Sequence, residues 1–240
     1  MDINQILTDV KSHYKEKKYS KAKALLKSYN LIELEDHTIF DDLDNSSIVL
    51  DLGGWQGNFS QYIYDRYGAT VYTVEPNEKF YNNMKERFRG NDKIKLFKCA
   101  IGGKTEIVKF YPSPEDFPGQ EKGSSLLSSS PYVDESIFIE VQKYSLADFV
   151  KEINVEKIDL IKMDIEGAEK ELFDDPSTKY VMDICRSFTI ELHYITKISD
   201  VPMISKEDIL KIINALQNRG FAFLDFSRDV QYIDCLFYKK

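Results

Sequence analysis

The chain has 240 residues, of which 42% are hydrophobic and 30% charged, and its formal net charge is −8. That composition suits one α/β domain with a small addition and excludes global disorder and a long apolar membrane span. The acidic balance speaks against a nucleic-acid partner, because a duplex-binding domain carries a basic face.

The N-terminus is polar and lacks the apolar stretch of a signal peptide. Cys99, Cys185 and Cys235 are far apart, form no zinc spacing and are odd in number. A reduced, cytoplasmic protein is the expectation. Ile3, Ile6, Leu7, Val10 and Tyr14 recur at helical spacing, as do Tyr19, Ala22, Leu26 and Tyr29, so residues 1–40 read as a helical extension on a main domain of residues 41–240. Residues 1–27 also hold seven lysines against Asp2, Asp9 and Glu16. Either a solvated helix face or a patch for an anionic acceptor or membrane surface fits them, and the solvated face is the default.

From Ser47 strands and helices alternate. Ser47–Leu52 reads as a strand, followed by glycines and a helix ending near Gly68. Thr70–Val74 is a second strand, stopped by Pro76, and Asn77 caps a helix through Phe88. Ile94–Ile101 reads as a third strand. Ile107–Tyr111 and Ile137–Gln142 follow as strands around a loop rich in proline, glycine and serine, whose composition over Pro112–Ser130 fits a lid. Ser145–Glu152 is helical, Ile158–Met163 a strand, Glu166–Phe173 a helix and Phe188–Leu192 a strand. Ser205 opens a helix with an apolar stripe of Ile209, Ile212, Ile213 and Leu216, ended by Gly220. Phe221–Phe226 and Tyr232–Tyr238 close the chain as an antiparallel pair at one sheet edge. The alternation predicts a doubly wound, mainly parallel α/β sheet.

Chemistry concentrates at the carboxyl ends of the predicted strands. The first turn reads VLDLGGWQGNF from Val49 to Phe59, and glycines after a buried strand let a ligand approach the backbone. Gly53 is then a position without room for a side chain. A tight strand-to-helix turn without a ligand has the same composition, and the G-x-G-x-x-G spacing of dinucleotide sites is absent. The second strand ends in Val74-Glu75-Pro76, placing a carboxylate where it can accept from both ribose hydroxyls. The fourth parallel strand and its sequel read IDLIKMDIEGAE, Ile158 to Glu169, and its neighbour reads FTIELHY. Lys162 inside such a strand is costly unless paired. Asp164 could be a helix N-cap with Glu166 favoured by the helix dipole. If the two strands are adjacent, however, Lys162 or Asp164 meets Glu191 or His193.

Together the segments D-L-G-G-W-Q-G, V-E-P, A-I-G (Ala100 to Gly102), S-S-L (Ser124 to Leu126), S-L-A-D-F and I-K-M-D-I-E-G-A-E resemble the FkbM family of methyltransferases, over roughly Ser47 to His193. The resemblance implies a class I, Rossmann-like fold with a seven-stranded sheet, S-adenosyl-L-methionine as cofactor, and O-methylation of sugar or polyketide hydroxyls. It implies that Asp51, Gly53 and Gly57 hold the methionine end, Glu75 the ribose, and the residues around Cys99 and Ala100 the adenine. Gly54 and Asp164 are counted with the cofactor residues. Gly54-Trp55 stands where the family more often has Ala-Asn, and Cys99 where many relatives carry an acid.

The expected acceptor is a small molecule or glycan, with no nucleic acid and no membrane insertion. In the expected mechanism a base takes the hydroxyl proton as the methyl transfers in line. Neutral His193 is the first choice, with an ionisation near its reference value of about 6.5, and Asp164 the second. Lys162 and Glu191 complete the expected catalytic group. A divalent metal on Asp164, Glu191 and His193 is conceivable but not demanded by the spacing. The rival readings are an NAD-binding oxidoreductase and a non-catalytic adapter that keeps the fold.

Overall fold

The computed structural model describes residues 3–113, 123–130, 132–194, 203–228 and 232–239, with side chains from residue 7. Most of the loop expected as a lid, from residue 114 to 122, lies outside the described residues.

Helices α1 (Ile3–Lys15) and α2 (Tyr19–Ser28) lead the chain. Val10, Tyr14, Ala22 and Leu26 on their apolar faces bury against Leu224, Phe226 and Leu236 near the C-terminus. The next residues are not helical. Strands β1 (Leu31–Leu34) and β2 (His37–Phe40) form an antiparallel hairpin with Leu34 opposite His37. Its turn needs left-handed backbone, which Glu35 supplies at φ 53°. The helical expectation for residues 1–40 therefore fails over its last ten residues. Their apolar positions are too few to fix a period, and the turn lacks the usual glycine or asparagine.

The central sheet uses β3 (Ile48–Leu52), β4 (Thr70–Val74), β5 (Ile94–Phe97), β9 (Leu160–Met163), β10 (Ser187–His193), β11 (Phe221–Asp225) and β12 (Tyr232–Lys239). Its order is β11-β12-β10-β9-β3-β4-β5. Strands β3, β4, β5, β9 and β10 run parallel. Only β12 opposes its neighbours; it lies between β10 and the edge strand β11, with which it forms the expected antiparallel pair at one side of the sheet. Helices α3 (Asn58–Tyr67), α4 (Glu78–Arg87), α5 (Leu146–Glu152), α6 (Glu169–Asp174), α7 (Thr178–Ile184) and α8 (Lys206–Gln217) connect these strands. Successive strand residues face opposite sides. Val49, Val71 and Leu160 thus pack under Phe59 and Ile63 of α3. Leu50, Tyr72 and Ile161 join the larger core with Phe149 of α5, Val181 of α7 and Ile212 of α8.

A second, three-stranded sheet has the order β6-β8-β7, from β6 (Ala100–Gly102), β7 (Glu106–Phe110) and β8 (Ile139–Ser145). The strand expected over Ile94–Ile101 therefore divides between two sheets: β5 pairs with β4, whereas β6 pairs with β8. Glu166 and Gly167, at φ 53° and 98°, hold left-handed backbone, so α6 starts at Glu169 and not at Glu166. The expected caps form at Asn77 and Ser205, whose side chains accept from the N–H groups of Lys79 and Asp208, and Ser145 caps α5 by accepting from the N–H of Asp148.

Strand order reverses between β3 and β9, from which the sheet proceeds in opposite directions. Ligands of open α/β sheets bind outside the carboxyl ends of the strands at such a point.

Candidate functional site

A cavity opens at that reversal. Gly53, Gly54, Trp55, Glu75, Lys162 and Asp164 come to its wall from the ends of β3, β4 and β9, and Glu191 from β10. Ala100, Ile101, Phe110 and Leu126 line a second side, with Phe80 of α4. Glu35, Asp36 and His37 of the N-terminal hairpin line a third.

The β3–β4 side is built from backbone and one carboxylate. The N–H groups of Gly53 and Gly54 both donate to the carbonyl of Val74, at 3.1 and 2.9 Å. They are thus spent on the turn. Gly53 has φ 84°, and a Cβ there would lie 1.9 Å from the carbonyl oxygen of Asp164. Room for a side chain is denied first by the approach of the β9 tip, whether or not a ligand comes close. Gly57 does not line the cavity; a Cβ on it would meet the ring of Phe88 at 2.7 Å, a packing reason rather than a ligand contact.

Glu75 is 6% exposed. One carboxylate oxygen accepts from the N–H of Trp55 and the other from the N–H of Asn77, both at 2.8 Å. Burial raises its pKa to about 7, against the lowering effect of those two bonds. Each oxygen retains a lone pair.

Asp51 is fully buried and absent from the cavity wall, contrary to its expected contact with the methionine end. It accepts from Ser60 Oγ at 2.6 Å and pairs with Lys162 Nζ at 3.3 Å. Lys162 in turn donates to the carbonyl of Gly53 at 2.6 Å and stands 3.8 Å from Asp164. Burial disfavours the ammonium, but Asp51 and Asp164 outweigh it and raise its pKa. Lys162 is therefore the clamp that fixes the glycine turn to the β9 tip.

The β9–β10 side is a crowd of carboxylates around one imidazole. The two strands are adjacent and parallel. His193 is fully buried and does not line the cavity. Its Nδ1 lies 3.0 Å from Glu169. Its Nε2 lies 3.3 Å from Glu166, 3.5 Å from Glu191 and 3.6 Å from Asp164. Burial alone would lower its pKa, but Glu166, Glu169 and Glu191 overcome it and hold it well above 6.5. This setting does not suit the expected neutral histidine base: His193 lies behind the cavity wall, and the acids around it favour its imidazolium form. Burial raises the pKa values of Glu166 and Glu191 in the same cluster. Ser125 supports the turn by donating to the carbonyl of Glu166 at 2.6 Å.

Among the polar lining residues, Glu35, Asp36 and His37 escaped the sequence reading. His37 is 3% exposed, its Nδ1 lies 3.3 Å from Thr189 Oγ1, and its ring meets Phe59 edge-on. Its sequence neighbourhood carries no motif, so only the hairpin fold reveals it.

Residues 50–223 match the family model described as "Methyltransferase FkbM domain". A "2-O-methyltransferase NoeI" of Sinorhizobium fredii is 29% identical over 134 residues, 52% of this chain and 55% of that protein. The chain thus spans about half the length of that relative. "Methyltransferase 1" of Beauveria bassiana is 24% identical over 195 residues, 74% of this chain and 73% of that protein. Among solved structures, an rRNA methylase from Streptococcus thermophilus aligns with a TM-score of 0.48 at 12% identity, over 83% of this chain and 90% of that one. No helix among the described residues is long and apolar enough to cross a membrane.

Proposed function

The chain belongs to the FkbM family of methyltransferases, and we propose that it transfers a methyl group from S-adenosylmethionine to a hydroxyl oxygen of a sugar or related polyhydroxylated acceptor. The observation that carries this reading is a single cavity that joins the buried carboxylate of Glu75 to the acidic tips of β9 and β10. The walls fit the cofactor in kind. Glu75 can accept from both ribose hydroxyls with its remaining lone pairs, which would relieve a carboxylate otherwise penalised by burial. Ala100, Ile101 and Phe80 offer an apolar slot for adenine.

When bound, the cofactor supplies an electrophilic methyl group on a sulfonium. Asp164 and Glu191 face the cavity and can accept hydrogen bonds from acceptor hydroxyls, fixing which oxygen points inward. The proton of that hydroxyl passes to the carboxylates at the strand tips, since protonated His193 cannot take it. His193 and Lys162 hold those carboxylates in place. The name of the Sinorhizobium relative supports oxygen as the methylated atom.

Calorimetry with S-adenosylhomocysteine tests the reading. Wild type should bind it, and Glu75→Gln should weaken binding about tenfold or more, the loss of a charge-assisted hydrogen bond of roughly 1.5–3 kcal/mol. Binding of NAD in place of S-adenosylhomocysteine would overturn it.

A further inference from the structure

Charge is out of balance where the cavity meets the β9 and β10 tips. Among the described residues, Asp51, Asp164, Glu166, Glu169 and Glu191 form ion pairs with Lys162 and His193. Lys162 is committed to Asp51 and the Gly53 carbonyl, and His193 sits closest to Glu169. Asp164 and Glu191 receive the imidazolium only at 3.6 and 3.5 Å, beyond good hydrogen-bond reach. Both belong to the cavity wall, and so does His37, which is buried and comes from β2.

One ligand atom each from His37, Asp164 and Glu191 all lie within 4.8 Å of one another. Ligands held at about 2.1–2.2 Å from a shared ion lie about 3.0–4.4 Å from one another, so binding would draw the three groups together by less than about 2 Å. We propose that His37, Asp164 and Glu191 form a site for a divalent cation of the Mn²⁺ or Mg²⁺ class, open to the cavity on its remaining sides. Two carboxylates and one imidazole suit such hard or borderline ions. The ligands come from three separate elements, the hairpin and two neighbouring strand tips, so the fold and not a local motif assembles them. The contact of His37 Nδ1 with Thr189 Oγ1 fixes the ring's orientation, as partners behind a ligating histidine commonly do.

The open positions are where an acceptor hydroxyl would sit. This role rests on the methyltransferase reading; the site itself does not. A cation there would bind the hydroxyl oxygen, favour loss of its proton to a strand-tip carboxylate outside the ligand set such as Glu166, and leave the alkoxide to form the new O–CH₃ bond while the S–CH₃ electron pair returns to sulfur.

The experiment is Mn²⁺ titration of the full chain, read by loss of the free-ion electron paramagnetic resonance signal, beside calorimetry with S-adenosylhomocysteine in the absence of metal. Wild type should deplete about one Mn²⁺ per chain, and Mg²⁺ should compete. His37→Ala and the near-isosteric Glu191→Gln should each weaken Mn²⁺ at least tenfold and leave S-adenosylhomocysteine affinity within about threefold. No saturable depletion, or wild-type Mn²⁺ affinity in both variants when folded, would overturn the site. So would methyl transfer that is lost in His37→Ala yet indifferent to a chelator in wild type, which would make His37 a base. Mn²⁺ binding without S-adenosylhomocysteine binding would sink the methyltransferase reading alone.

Discussion

The two sides of the cavity are built on opposite principles. At the β3–β4 side, backbone groups satisfy one another and a single acid, Glu75, is held by two N–H donors. At the β9–β10 side four carboxylates converge on one buried imidazolium. The first side is a shape with one recognition point. The second is an electrostatic assembly in which no member can be removed without exposing the others. One sequence signal, polar residues at strand ends, therefore marks two kinds of site whose members respond differently to substitution.

The largest contrast should come from His193. Replacement by alanine leaves Glu166, Glu169, Glu191 and Asp164 without their shared cation, and breaking a buried ion network from one side costs about 3–5 kcal/mol. Urea or thermal unfolding should register that loss. An alanine variant of wild-type stability would mean that the crowd of acids does not depend on the imidazolium. The histidine's raised folded pKa means its stabilising charge is fully present below the ordinary value and is lost only as pH rises well past it. Wild-type activity should accordingly show no inflection near 6.5 from this residue.

Gly53→Ala should rank second. The added Cβ meets the Asp164 carbonyl in a left-handed backbone conformation, which together cost about 2–4 kcal/mol. The loss should appear in unfolding of the free protein, before any ligand is added. A variant that unfolds normally but fails to bind S-adenosylhomocysteine would restore a purely ligand-based reason for the glycine.

The smallest effect is a pH dependence at Glu75. Its folded pKa of about 7 lies above the ordinary carboxylate range, so it gains a proton as pH falls through neutrality. A protonated carboxyl loses one acceptor for the ribose hydroxyls. Affinity for S-adenosylhomocysteine should therefore fall by up to about tenfold between pH 8 and pH 6, and the slope should vanish in Glu75→Gln. A flat wild-type profile would detach Glu75 from the ligand.

What could be read from sequence follows the same division. β4 carries a run of β-branched and aromatic residues, TVYTV, stopped by Pro76 just beyond, and its expected bounds, Thr70–Val74, coincide with the observed strand. The adjacency of β9 and β10 was an open condition, met only by their pairing in the fold, whereas their polar tips were legible because each strand ends in polar residues of its own. The state of His193 was not, because its charge depends on Glu166 and Glu169, which reach it only after the left-handed turn at Glu166 and Gly167 folds them back. Asp51 reads as a ligand contact by position, yet the Lys162 ammonium from the neighbouring strand turns it inward. The hairpin was invisible for a simpler reason: four-residue strands carry too little pattern, and Glu35 is an uncommon residue for its conformation.

The insertion of β12 between β10 and β11 has a consequence for assembly order. Residues 232–239 are translated last among the strands, yet they pair along the whole length of β10, and the ring of Tyr232 meets that of His193 edge-on at 5.7 Å. Until they emerge from the ribosome, the strand that bears Glu191 and His193 has one bare flank. The N-terminal helices must wait as well, since Val10, Tyr14 and Leu26 close on Leu236 of β12. Helices α1 and α2 and strand β12 thus meet in one late docking event, a loop closure that spans the strands between them, and the acidic tip matures only when that event has taken place.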